Sequence, residues 1–321
     1  MSYVPPLVNE FWRLAFDKEA TFGIGETIAD VNKWVGVLED DPEIPVPDVD
    51  VQNRYGVDGD AKSTVTTQGA IGYTGKLSWL VQNAQMLEFI FGRIQTSGTT
   101  PTFTHDFDAG TALSRPLPSF TMAIWNDKDG DGTVDAEDIV GRFSGCKLPK
   151  AVFTSVQGEA LKIEADLMAI NAEDQSTFPS QTTVTTQPYM FDECQLTVFG
   201  AVFARAKEVT ITLDHQAEFG HYLNDQKPID IVEGQMKVEV SAVLVIEDDN
   251  LWDLLLANPL VATTITLLYT RGAIDTLQLQ VTNAVPKIKI NTGERGVEAP
   301  IDFICEDITA QVIDSVTSYP V

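Results

Sequence analysis

Within Leu161-Lys162-Ile163-Glu164-Ala165-Asp166-Leu167-Met168-Ala169 every odd position is apolar, and every even position through Asp166 is charged. Successive side chains of an extended chain point to opposite faces, so this spacing predicts a strand with one face buried and one in water. The alternation recurs in Phe120 to Trp125, Val209 to Asp214, Met236 to Ala242, Leu277 to Thr282 and Ile288 to Ile290. Short runs of this kind, separated by turn signals, predict antiparallel β units. Two stretches carry a helical period instead. Val81, Ala84, Leu87, Ile90, Phe91 and Ile94 recur at spacings of three and four. Leu251, Leu254 and Leu255 follow a candidate N-cap at Asp248-Asp249-Asn250 and stop at Asn258-Pro259. Each predicts a short helix whose apolar stripe packs on its own sheet.

The pattern occurs twice. Gln52, Tyr55, Gly56 and Gly69 fall opposite Gln216, Phe219, Gly220 and Gly234, an offset of 164 to 165 residues. The offset persists where Leu87 to Phe91 faces Trp252 to Leu256, then falls to 137 where Leu148-Pro149-Lys150 faces Val285-Pro286-Lys287. The second copy therefore lacks about 28 residues of the first. Two copies of one unit in a single chain point to a pseudo-symmetric assembly more readily than to a lone active site. The Thr-, Ser- and Gln-rich stretch Gln175 to Pro188 separates them as a linker or exposed hairpin. The expected partition is an N-terminal arm with a first unit at 1–174, a linker at 175–188 and a second unit at 189–321. Prolines at 42, 45 and 47 forbid a helix in the arm and disfavour a central strand, so an extended arm packed on something else is expected there.

Composition narrows the function. A chain of 321 residues is long enough for two ordinary domains, and no run of eighteen apolar residues predicts a membrane span. Prolines near the start, in MSYVPPLVNEFWRLAF, stand where a secretory signal needs a basic and then an apolar segment, so no export signal is expected. Cys146, Cys194 and Cys305 are odd in number and far apart, the pattern of small core residues and not of a metal or redox site. His105, His215 and His221 are too scattered for acid-base chemistry. No G-x-S-x-G, P-loop or HExxH occurs, and the glycines of GAIGYTG (Gly69 to Gly75) read as strand glycines. An enzyme is not expected. The charge is −26, which excludes binding to the outside of DNA by phosphate neutralisation. It fits a halophilic origin, because molar salt shortens the Debye length to about 3 Å and relieves self-repulsion. An ordinary acidic protein is the alternative.

One motif is sharp. DKDGDGTVDAED places carboxylates at loop positions 1, 3 and 5 (Asp127, Asp129, Asp131), Gly132 at 6, the Thr133 carbonyl at 7, Asp135 at 9 and Asp138 at 12. Calcium takes six to eight hard oxygen ligands, and this spacing converges them on one point. Asp138 stands where a standard EF-hand has Glu, closer to a dockerin-type loop, so the choice between calcium and magnesium is open. A solvated acidic turn is the plainer alternative. The motif falls in the stretch that the second copy lacks and follows a strand, which favours a structural Ca2+ clip over a signalling hand.

Several segments together resemble the major tail tube proteins of long-tailed, siphovirus-like double-stranded DNA viruses of bacteria and archaea. They are KEATFG (Lys18 to Gly23), LEFIFG ending at Gly92, PTFTHDF from Pro101, FTMAIW from Phe120 and RFSGCKLPKAVFTSVQGEALKIEADLMA from Arg142. The resemblance implies a mainly β fold of two tandem tail-tube-type β-sandwich or half-barrel domains, each with one short flanking helix. It implies a structural virion protein, assembled in the host cytoplasm, whose copies join edge to edge into stacked rings forming a conduit for genome ejection. Family rings usually have six subunits, so a tandem duplicate implies a trimeric pseudo-hexameric ring, with a true hexamer as the alternative. Implied partners are the chain itself, tape measure, tail terminator and baseplate proteins, and genomic DNA that passes the lumen without specific binding; no membrane is implied. With the charge, the expected host is a haloarchaeon and the expected lumen is acidic. The rival reading is a calcium-dependent β-sandwich binding or adhesion module.

Overall fold

The structure, a computed structural model, describes residues 12–28, 38–39, 42–55, 63–108, 116–128, 134–135, 138–180, 186–203, 206–223, 225–245, 262–288, 298–317 and 319. The fold is mainly β, as the alternating pattern predicts. In the first half the strands are β1 (Trp12–Lys18), β2 (Glu43–Tyr55), β3 (Ser63–Leu80), β4 (Ile94–Thr99), β5 (Thr102–Asp108), β6 (Phe120–Asn126), β7 (Ile139–Val156), β8 (Lys162–Ala169) and β9 (Asn171–Asp174). Helix α1 (Leu87–Phe91) lies between β3 and β4. The second half contains β10 (Cys194–Val198), β11 (Ala201–Phe203), β12 (Ala206–Asp214), β13 (Glu218–Gly220), β14 (Asp230–Val232), β15 (Lys237–Val245), β16 (Thr263–Arg271), β17 (Asp275–Ile288), β18 (Glu298–Cys305) and β19 (Asp307–Asp314).

A long antiparallel sheet runs β2-β3-β8-β7-β12-β15-β18-β17. Two flanking sheets share its long strands: β1-β6-β7-β9 in the first half, and β11-β10-β16-β17-β19-β5-β4 in the second. The pairing order β2-β3-β8-β7 recurs as β12-β15-β18-β17, and β1-β6-β7-β9 recurs as β10-β16-β17-β19. The strands β7 and β17 turn the corner between sheets, and each does so through a left-handed residue: Gly145 at φ 64° and Asn283 at φ 51°. Glycine reaches this region without strain and Asn tolerates it better than most residues. A Cβ on Gly145 would also sit 2.4 Å from Ile170, so side-chain room and backbone angle both require glycine there.

Two first-half segments have no counterpart among the described residues of the second. One is the β4–β5 hairpin, which pairs with β19 and so completes the second half's flanking sheet. The other is the 127–138 loop, where β6 joins β7; the matching β16–β17 turn spans only 272–274. The two halves also pair directly through β7–β12. One hydrophobic core runs through both, with Phe16, Phe89, Phe91, Phe107, Phe120 and Phe153 from the first half and Leu213, Val240, Leu267, Leu279 and Phe303 from the second.

Three local expectations change. The helical stripe from Val81 to Ile94 shortens to α1, because Gly92 in the left-handed region caps it, its N–H donating to the Glu88 carbonyl at 2.7 Å, and the chain then enters β4. Val81, Ala84 and Met86 are buried in the turns before it, so burial produced the apolar spacing without a helix. The proline-rich arm is in part an edge strand: β2 pairs with β3 alone among the described strands. The alternating stretch in β6 is buried on both faces, since Trp125 is covered by Arg13 and by Phe178, which follows β9. The expected second helix at 251–258 and the positions 289–290 lie outside the described residues.

Candidate functional site

The feature most able to act is the long sheet itself. On one face Ile163, Ala165, Leu167, Ile211, Leu213, Val240 and Phe303 are buried in the core. The alternate residues present the other face to solvent, as the period of two requires. That face interleaves signs. Lys162 lies 3.2 Å from Glu164 and Lys237 lies 2.8 Å from Glu239, while Lys150 stands opposite Asp166 and Lys287 opposite Asp302. The carboxylate excess of the sequence is thus not concentrated among the described residues of this face.

Between the halves the sheet is continuous. His215 N–H donates to the Pro149 carbonyl at 2.8 Å and Gln157 N–H to the Lys207 carbonyl at 2.9 Å. In an antiparallel ladder hydrogen-bonded and non-bonded pairs alternate, so Leu213 exchanges bonds with Ala151 and Ile211 with Phe153. At the ends of the sheet, β2 on one side and the Val285–Ile288 part of β17 on the other have a single neighbour among the described strands. Unpaired N–H and C=O rows of this kind are templates for another strand.

Two buried charged groups hold the corner of β7. Lys147, 3% exposed, places Nζ 2.7 Å from Glu233 Oε1, 2.9 Å from the Ile231 carbonyl and 3.8 Å from Asp230, with the Phe22 ring 4.9 Å away. It ties β14 to the corner. Glu19, from the KEATFG segment, accepts from Gly145 N–H at 2.7 Å, Thr121 Oγ1 at 3.0 Å and Gly23 N–H at 2.8 Å. Neither was singled out from the sequence. The signal was present for Lys147: a lysine flanked directly by Gly145-Cys146 and Leu148-Pro149. The glycines of GAIGYTG are strand glycines of β3. Gly75 passes beneath β2, where a Cβ would meet the Glu43 carbonyl at 2.3 Å, and Gly72 receives the Phe219 ring.

In the acidic loop, Asp127 is 1% exposed, Asp135 is exposed and Asp138 is half-buried; Asp129, Asp131 and Thr133 lie outside the described residues. Asp138 closes the loop. Its Oδ1 accepts from Lys128 N–H at 3.0 Å, and its Oδ2 from Trp125 Nε1 at 3.0 Å and Asp135 N–H at 3.1 Å. Partial burial pushes the Asp138 carboxyl upward, but these donors and the Lys128 charge outweigh it and hold it below its ordinary value. Three of about four lone-pair positions are then engaged, which leaves room for one metal bond from this residue and not two. Among the described residues no group of three His, Cys, Asp or Glu is arranged to hold a metal.

The cysteines and histidines form no shared site. Cys146 is buried and Cys194 and Cys305 are half-buried, all with free thiols. Burial pushes the Cys194 thiol up to about 11 and the Cys305 thiol to about 12. His105 is buried between Thr96 Oγ1 at 2.9 Å and the Val316 carbonyl at 3.0 Å, with Asp314 at 3.3 Å and Tyr319 packed on its ring. This group fastens the C-terminal segment to β5. Burial lowers the His215 pKa, and the Ile90 carbonyl bonds its Nε2 at 2.9 Å.

The chain thus presents long antiparallel sheets whose outer strands have one neighbour each among the described strands. A family model described as phage tail tube protein matches residues 13–305, and the chain belongs to that family. It is a structural component of the virion tail. No curated protein matches the chain. No helix among the described residues is long and apolar enough to cross a membrane.

Proposed function

We infer that the chain polymerises edge to edge into rings that stack into the tail tube of a long-tailed virus of a halophilic host, and that the genome leaves through the bore. The observation that carries this reading is the long sheet, which crosses from one half to the other without a break and ends in strands with a single neighbour among the described strands. A recurring strand order within each chain supports a trimeric, pseudo-sixfold ring, in which eight strands per chain bring twenty-four to the wall; a hexamer is the alternative. If the solvent face of the sheet lines the bore, its interleaved lysines and carboxylates offer no sustained positive strip to grip phosphate, so DNA slides. Tape measure, tail terminator and baseplate proteins are the expected neighbours along the tube.

The acidic loop is assigned a structural role within this reading. Asp127, Asp129, Asp131, the Thr133 carbonyl, Asp135 and Asp138 would order the insertion around Ca2+, on the outer surface or at the contact between rings. Negative-stain microscopy of the purified chain in molar salt with calcium tests the assembly. Stacked rings with a central channel are expected. Isolated monomers under those conditions would refute the tube, and monomers that bind glycans would support an adhesion module.

A further inference from the structure

We propose that the seam between neighbouring chains is made by β17 of one chain and β2 of the next, in the register of the internal β7–β12 junction, and that Pro47 keeps this seam weaker than the internal one. The proposal deepens the ring reading and rests on it.

The ladders supply the register. In the first half Lys76 stands opposite Asp166 and Tyr73 opposite Ala169; in the second, Ser241 stands opposite Asp302 and Val238 opposite Cys305. One residue before Tyr73 and Val238, Gly72 and Lys237 stand opposite Asp48 and Asp214. Asp48 therefore holds the place of Asp214 and Pro47 that of Leu213. On the other side Lys150 pairs with Asp166 as Lys287 pairs with Asp302, so Pro286 holds the place of Pro149 and Ile288 that of Ala151. Joining β17 to β2 as β7 joins β12 sets Val49 opposite Pro286, Asp48 opposite Lys287 and Pro47 opposite Ile288. A head-to-tail contact between two different edges closes a ring when the rotation permits.

The same parity explains Pro47. Val81 N–H donates to the Leu161 carbonyl and Glu39 N–H to the Ser78 carbonyl, so odd residues of β3 bond β8 and even residues bond β2. Val46 and Asp48 face these even residues, Thr74 and Gly72. Pro47, which lies between them, consequently turns its nitrogen away from β3, to the open edge, the one side on which a strand tolerates proline. In the internal junction Leu213 both donates and accepts. At the seam Pro47 can accept from Ile288 N–H but has nothing to donate, while Val49 N–H still reaches the Pro286 carbonyl as His215 N–H reaches that of Pro149. A seam short of donors suits a chain that must remain unassembled until the tail is being built, and proline on an edge is a recognised device against premature pairing.

The test uses the full-length chain. Asp48→Cys with Lys287→Cys places two thiols at a non-hydrogen-bonded antiparallel pair, a separation a disulfide can span. Mild oxidation should give covalent multimers of two and three chains on a denaturing gel. Asp48→Cys with Val285→Cys, two residues out of register, should not link. Rings in the microscope without the linked species, or equal linking by the displaced pair, would overturn the seam while leaving the ring reading intact. Absence of rings in the unmodified chain would remove both. As an independent variant, Pro47→Leu restores the donor that Leu213 has. The concentration at which rings half-dissociate should fall about fivefold per seam, the worth of one hydrogen bond; an unchanged or higher midpoint would refute the role of the proline.

Discussion

Replacing Lys147 by Met leaves the Glu233 carboxylate, whose side chain is 17% exposed, without its cation at 2.7 Å. It also leaves the Ile231 carbonyl without a donor that now sits at 2.9 Å. Removing one partner of a buried pair costs about 3–5 kcal/mol, because the other charge stays desolvated. The partial exposure of Glu233 places the expectation at the low end, about 3 kcal/mol. For a chain of this size about 2–3 °C per kcal/mol applies, so the melting temperature should drop by about 6–9 °C. The double variant Lys147→Met with Glu233→Gln removes the charge and keeps an Oε1 to accept the Leu117 N–H, which donates at 3.2 Å. It should recover to within about 1 kcal/mol of the parent. Calorimetry at one protein concentration in molar salt reads all three proteins, and salt should not erase the effect since buried pairs are screened little. If the double variant melts no higher than Lys147→Met, the stranded charge is not the cause and the reasoning fails.

Glu88 is 4% exposed, and burial raises its pKa against the opposing bond and charge of Lys18 at 2.6 Å. Its folded form therefore holds a proton more tightly than its unfolded form, and stability is lost as pH rises through the raised value. Glu88→Gln should raise the melting temperature at pH 7, with the gain vanishing near pH 4; an equal gain at both would refute this. Asp127→Ala with Asp131→Ala should abolish any calcium-dependent rise in melting temperature, so a surviving response would exclude the loop as the metal site. Asp138→Ala frees the Trp125 Nε1 donor, and a red-shifted tryptophan emission is expected; an unaltered spectrum would count against the clasp. With thiols pushed to about 11 at Cys194 and about 12 at Cys305, and Cys146 buried, iodoacetamide at pH 8 should label all three only after unfolding. Rapid native labelling would contradict their burial.

Strands with one dry and one wet face were legible, and β8 follows the Leu161 to Ala169 alternation nearly residue for residue. The β6 strand was legible as a strand but not as doubly buried, because what covers Trp125 is Phe178, over fifty positions away. The stripe from Val81 misled for a related reason: core burial of a turn imitates the spacing of a helix. Pairings such as β7–β12 and β5–β19 leave no local mark, since ladder bonds use backbone atoms common to every residue. In the acidic loop the sequence displayed the carboxylates, yet not that Asp138 spends most of its acceptor capacity on Trp125, Lys128 and Asp135. The prolines of the arm were read correctly as unfit for a central strand; that they lie in an edge strand depends on β3 being there to receive them.

The marriage of β5 to β19 has a bearing on how the chain is made. Asp106 and Gln311, bonded at 2.7 Å, are 205 positions apart. Translation at about 5–20 residues per second needs about 10–40 s to cover that stretch. Throughout this interval the nascent polypeptide carries a hairpin lacking its second neighbour, so truncation products ending before residue 307 should be sticky, and chaperone shielding would matter most while the ribosome is still at work.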